Sequence, residues 1–362
     1  MLLGKSGKPM MRECMHYYAG KKVLVTGHTG FKGSWLCEVL SEAGAEVTGF
    51  ALEPPTVPNL FTLASIDSKV HSIIGDVRDL GSLRLAFQNA QPEIVFHLAA
   101  QPLVRASYSD PVYTYETNVM GTVNVLECVR EFDCVRSFLN VTTDKVYLNK
   151  EWCWGYRETD PLDGFDPYSN SKSCSELVTH SYRSSFFGER DVSVSTARAG
   201  NVIGGGDYAE DRIIPDCVRA ALAGQTLVVR NPHSIRPYQH VLEPLFAYLL
   251  IAKRQQEEPD LSGAYNVGPD DCDCVSTGDL VELFRLAWGG DFSWTCLGED
   301  THAPHEASFL RLDSSKLKTC CGWRPRWRIA YAIEKTVEWV KACSGNDDIQ
   351  GAMRSQIEEY TA

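Results

Sequence analysis

Four absences in this 362-residue sequence each remove a class of protein. No run of 18 apolar residues occurs, so no membrane-spanning helix is expected. The longest apolar stretch, 242–252, is interrupted by Glu243 and Pro244 and reads as a core helix. Positive charge is scarce: 35 Lys and Arg against 47 Asp and Glu leave a net −12. That excludes general nucleic-acid binding, which depends on neutralising phosphates, but leaves room for a local basic pocket for one phosphorylated small molecule. Cysteines number 13, yet no CxxC pair is present, and Cys272/Cys274 and Cys320/Cys321 lack zinc-finger spacing. No metal is therefore expected, and the thiols read as free in a reducing cytoplasm. Finally, residues 1–19 have no continuous apolar segment, so they read as a flexible leader rather than a secretory signal.

What is present is a large core and a regular alternation. Hydrophobic residues make up 44% of the chain, and the length suits two domains of roughly 150 residues each. Short apolar runs at 23–26 (VLVT), 46–52, 70–75, 94–99 (IVFHLA), 136–142 (RSFLNVT) and 192–197 alternate with helical patterns at 35–43, 80–89, 112–130 and 167–187. Continuous apolar strands between amphipathic helices predict an α/β fold, a Rossmann-type doubly wound parallel sheet covered on both faces. After residue 200 the pattern loosens into helices at 213–223, 277–287 and 330–342, a short strand at 227–229 and a Gly-rich loop at 204–206 expected to be flexible. The expected division is a dinucleotide-binding and catalytic domain at 20–200, with part of 230–265 returning to it. An interleaved α/β substrate-binding domain follows at 201–345, then a tail at 346–362.

Residues 27–33 read GHTGFKG, directly between a strand and a helix. Gly27, Gly30 and Gly33 allow a tight turn and close approach of a diphosphate to the helix N-terminus, with His28, Phe31 and Lys32 in the same turn. Glu53, 20 residues on, suits a ribose hydroxyl and NAD, or is a solvated loop residue; Lys32 suits a 2′-phosphate in the alternative. NAD is the preferred reading. Tyr168 and Lys172 form YxxxK on one helical face, where an ammonium is expected to lower the phenol's pKa. Thr143, at the carboxyl end of the 136–142 strand, completes a Thr-Tyr-Lys set for taking a proton from a sugar hydroxyl. Arg212 and Arg236, the latter near Tyr238, suit a diphosphate through their bidentate donors, and Arg105 is a weaker candidate for the sugar end.

The GxxGxxG turn, with YxxxK, resembles the extended short-chain dehydrogenase/reductase family. That resemblance implies an adenine contact at Asp76 and Val77, a strand-end loop under the cofactor at Leu98, Ala99 and Ala100, a structural Asn118, and a diphosphate contact at Asn201. TTDKVY at 142–147 and EWCWGYRE at 151–158 resemble the sugar-nucleotide 4,6-dehydratases, specifically their CDP-glucose branch, from about residue 20 to residue 340. The implied substrate is CDP-glucose, the implied route leads to bacterial deoxysugars, and the implied assembly is a homodimer pairing the 112–130 and 167–187 helices. Asp144 matches the family's acid, and Lys145 stands where most members carry Glu. Lys145 serves as the C5 base only if its pKa is strongly depressed; otherwise it stabilises an enolate, or simply pairs with Asp144.

Overall fold

The structure, a computed structural model, describes residues 7–296, 308–345 and 348–362. Seven parallel strands form the central sheet: β1 (Lys22–Thr26), β2 (Glu46–Ala51), β3 (His71–Ile74), β4 (Ile94–His97), β5 (Ser137–Thr143), β6 (Ser193–Ala199) and a last strand at Ala264–Val267. Their order across the sheet is Ala264–Val267, β6, β5, β4, β1, β2, β3. The chain thus winds outward from β1 in one direction and then restarts beside β1 in the other, which opens a crevice at the carboxyl ends of β1 and β4.

Successive strand residues point to opposite faces, and over β1, β2, β4, β5 and β6 both faces are buried, while β3 is a half-exposed edge. Val23, Val25, Ile94, Phe96, Leu139 and Val141 join one core with Trp35, Leu36 and the helix Leu242–Glu257. Leu24, Val95 and Phe138 join another with Leu83, Phe87, Val125 and Val129. This two-sided burial is why the strands read as unbroken apolar runs. A smaller third core gathers Ile214, Leu227, Val229, Leu280, Phe284, Ile333 and Val337 beside the cleft.

Three expectations need correction. The leader is not loose where it is described: Gly7–Tyr17 is a helix, and Met11, Cys14 and Tyr18 are buried in the first core. Residues 1–6 lie outside the described residues. The tail likewise contains a packed helix, Ile349–Thr361, with Met353, Ile357 and Tyr360 buried; residues 346 and 347 lie outside the described set. Gly7–Tyr17 packs on the Leu242–Glu257 helix, and Ile349–Thr361 packs on the helix Ile329–Ser344 and the helix Phe31–Glu42, surfaces that loose segments would leave wet. Third, the 204–206 loop is buried rather than flexible, because a Cβ on Gly205 would come within 2.1 Å of the Trp339 side chain. Among the described residues no helix is long and apolar enough to cross a membrane, and no cluster of three or more His, Cys, Asp or Glu is placed to hold a metal.

Candidate active site

Two glycines shape the turn after β1. Gly27 has φ 77°, and a Cβ on Gly33 would lie 2.0 Å from the Gly27 carbonyl oxygen. Only hydrogen fits at Gly33, so the helix Phe31–Glu42 can start hard against the turn. No side chain caps that helix at Gly30, which leaves its N-terminal N–H groups facing the crevice. The loop of Leu98, Ala99 and Ala100 closes the other side, with Ala99 donating to the Thr26 hydroxyl at 3.2 Å. Asn118 pins this loop to the catalytic helix: it accepts from the Gln101 N–H at 2.8 Å and donates to Ser171 at 2.9 Å. These residues fit a dinucleotide diphosphate.

The remaining residues of the expected cofactor site divide. His28 is fully buried under β2, bonded to the Ser72 hydroxyl at 2.7 Å and edge-on to Phe61, so its ring is closed to any ligand and only its backbone remains available. Burial pushes its pKa down to about 4. Asp76 is tied to Arg78 at 2.7 Å, and Glu53 is exposed just beyond β2. Lys32, the alternative expected to meet a 2′-phosphate, faces Asp144, Asp207 and Arg212. It lines the catalytic cavity, where burial and then Arg212 push its pKa down to about 8 against the pull of Asp144 and Asp207.

That cavity, of about 700 Å³, brings together Thr143, Asp144, Lys145, Tyr168, Arg105, Asn201, Arg212, Arg236 and Tyr238. Strand β5 delivers Thr143 at its last residue, and the next turn carries Asp144 and Lys145. Asp166 caps the helix Pro167–Phe186 by accepting from the Ser169 N–H at 2.9 Å, which fixes Tyr168 in the first turn and Lys172 one turn on. The Thr143 hydroxyl is hydrogen-bonded to the Tyr168 phenol and lies 2.9 Å from Asp144 Oδ1, to which it donates. Among the described residues no hydrogen-bond partner reaches the buried Asp144 Oδ2. Burial holds the Asp144 carboxyl above its usual range, although Lys145, Thr143 and Arg236 all pull it down. A carboxyl so placed retains its proton more readily, as an acid must.

Lys172 departs from expectation. Its ammonium donates to the Val141 carbonyl at 3.1 Å and is buried, and burial followed by repulsion from Lys32 pushes its pKa down to about 7. The Tyr168 phenol is pushed up to about 12 by burial; the main groups opposing this are Thr143 and Arg212, not the expected Lys172. Arg212 pairs with Asp207 at 2.9 Å, Arg105 is drawn to Asp211 at 3.7 Å, and the Tyr238 hydroxyl meets Thr277 at 3.2 Å.

Sequence reasoning missed the support behind these groups. Glu176, one turn beyond Lys172, forms a fully buried pair with Arg198 at 2.9 Å and accepts from the Thr142 and Thr196 hydroxyls. Arg198 also donates to the Tyr147 hydroxyl at 2.8 Å and the Glu158 carbonyl at 3.1 Å, which holds the segment following Lys145. The i,i+4 spacing of Lys172 and Glu176 was the available signal. Asp207 and Asp211 carried none, because acidic residues in a Gly-rich loop look solvated.

The GDP-mannose 4,6-dehydratase family model matches residues 24–336. The chain belongs to that family. Within it, the CDP-glucose 4,6-dehydratase of Salmonella typhimurium (strain LT2) is 48% identical over 351 residues, 95% of this chain and 97% of that one. A dTDP-glucose 4,6-dehydratase of Xanthomonas campestris pv. campestris is 30% identical, covering 87% of this chain and 92% of the relative. Among solved structures, the Thermus thermophilus UDP-glucose 4-epimerase in complex with NAD is 26% identical, with a TM-score of 0.76 over 88% of this chain and 98% of that one. The family's 4,6-dehydratases are hydro-lyases, and the parallel sheet with its Gly-rich turn is the fold shared with the epimerases.

Proposed function

We propose that this chain is an NAD-dependent CDP-glucose 4,6-dehydratase, producing CDP-4-keto-6-deoxyglucose in the cytoplasm as a homodimer. The observation that carries the reading is the Asp144-Lys145 pair at the end of β5, sharing one cavity with Thr143 and Tyr168. Support for the nucleotide comes from the 48% identity to the Salmonella relative. Support for NAD rather than its 2′-phosphorylated form is the turning of Lys32 into the cavity and the Glu53 carboxylate beside β2. For the homodimer it is exposed Tyr108, Val112 and Leu177 on neighbouring helices.

NAD, held by the 27–33 turn and the 98–100 loop, would supply the hydride acceptor for C4 oxidation and the hydride donor for C6. The protein does the rest. Tyr168, oriented by Thr143, removes the proton of the C4 hydroxyl. Arg212 supplies positive charge that favours the Tyr168 phenolate, and with Lys32 and Arg236 in the same cavity it stabilises the C5 enolate once C4 is a ketone. Lys145 in its unprotonated form stands beside Asp144 to take the C5 proton and to return it to C5 when C6 accepts hydride, and Asp144 delivers its own proton to the C6 hydroxyl so that water leaves. A 4-epimerase reading would use Tyr168 and Lys172 but give Asp144 and Lys145 nothing to do. Incubation with CDP-, dTDP-, GDP- and UDP-glucose tests the proposal by product identification. A 4-keto-6-deoxy product from CDP-glucose is expected; a C4-inverted sugar with C6 still hydroxylated would overturn it.

A further inference from the structure

The rim of the catalytic cavity carries an ion pair drawn from separate loops. Arg230, just past the strand Leu227–Val229, donates from Nη2 to Asp211 Oδ1 at 2.9 Å. Arg105, on the helix Val104–Ser109, approaches the same oxygen at 3.7 Å. All three residues line the cavity that also contains Tyr168. Asp211 has φ 58°, a left-handed conformation that Asp adopts more readily than most residues. Here it sets the carboxylate beside Arg230. Both arginines use Oδ1, and among the described residues no hydrogen bond reaches Oδ2.

A guanidinium alongside a carboxylate presents, in a row, two N–H donors and one acceptor oxygen. Cytosine presents the complement: acceptors at O2 and N3, then a donor at the 4-amino group. Uracil and thymine present acceptor, donor, acceptor, so N3–H would meet an N–H and O4 would meet a carboxylate oxygen. Guanine's pairing edge would oppose the pair at every position. We propose that Arg230 and Asp211 read the base of the sugar nucleotide as cytosine, presenting the same pattern as guanine's pairing edge. This rests on the dehydratase reading for the sugar end of the cavity. It adds the element that selects the nucleotide, and it assigns Arg105 to holding Asp211 rather than to the sugar.

Equilibrium binding on the intact protein tests the proposal, with CDP, UDP and the CDP analogue whose 4-amino group is replaced by hydrogen. Wild type should prefer CDP over both by about 10- to 100-fold, the discrimination expected of a two-bond base contact. Asp211→Ala should lose the preference for CDP over the analogue, and Arg230→Gln should reduce the CDP-to-UDP ratio by a similar factor. A wild type that fails to distinguish CDP from the analogue overturns the proposal without any variant; so do ratios unchanged by both substitutions. Failure of wild type to turn over CDP-glucose would instead sink the dehydratase reading, since base discrimination in binding does not depend on it.

Discussion

At the catalytic end of the cavity Tyr168, Lys172 and Asp144 are 9%, 4% and 1% exposed, and they stand on the turn after β5 and the helix packed against it. At the rim, the Arg230 and Asp211 side chains are 46% and 42% exposed and stand on loops. The inner groups have their pKa values moved by burial and are braced by the Glu176–Arg198 pair, whereas the rim pair sits in water and is braced by one more arginine. The difference teaches where each property is held. Proton transfer needs fixed, desolvated geometry and is built into the sheet; ligand choice can be carried by loops whose replacement disturbs little of the core.

The sharpest test of that division is Tyr168→Phe, expected to lower kcat by roughly 10³-fold while leaving CDP affinity intact, as general-base loss should. Steady-state rates and equilibrium binding on one preparation check it. Next comes Lys145→Met, for which a loss of about 10²-fold or more is expected. The block should fall after oxidation, so that absorbance of the reduced cofactor builds up without 4-keto-6-deoxy product; unimpaired product formation would remove Lys145 from the chemistry. In stability the contrast should appear as ~3–5 kcal/mol lost in Glu176→Ala, because a buried arginine is left unpaired. Asp211→Ala should change urea unfolding by only about 0.5 kcal/mol. Comparable losses at both sites would erase the proposed distinction.

The smallest effect concerns pH. Lys172 falls from 10.5 to about 7 on folding, so between those values the folded state binds fewer protons than the unfolded one and stability rises with pH. The penalty is fully present below pH 7. Cofactor-free Lys172→Met should therefore melt a few degrees above wild type at pH 6, a gap that narrows toward pH 10. A gap that stays constant across this range would mean that Lys172 is charged throughout.

Legibility in the sequence follows the same division. β1, β2, β4, β5 and β6 and the long helices between them were readable because burial on both faces leaves largely apolar runs, whereas β3 is a half-exposed edge strand. The seventh strand, Ala264–Val267, was not, because its Asn266 is polar and serves Tyr147, Tyr156 and Glu158 rather than the apolar core. Thr143, Asp144, Lys145 and Tyr168 were readable from spacing, since a strand end and a helix face fix them relative to one another. The direction of Lys32, the inward turn of His28 and the choice of Val141 as partner for Lys172 depend on packing, which spacing does not encode. Asp211 was hidden for a related reason: its role comes from meeting arginines 106 residues before it and 19 after it in the chain.

The helix Leu242–Glu257 is covered by the helix Gly7–Tyr17 on one flank, and Tyr360 of Ile349–Thr361 reaches Glu243 within it. During synthesis the first cover is made long before this helix and the second long after it. Glu243 and Phe246, at the start of the newly made helix, therefore wait for Tyr360 to arrive. An affinity tag or truncation that disturbs either end should show first as poor yield of soluble protein, before any change in catalysis.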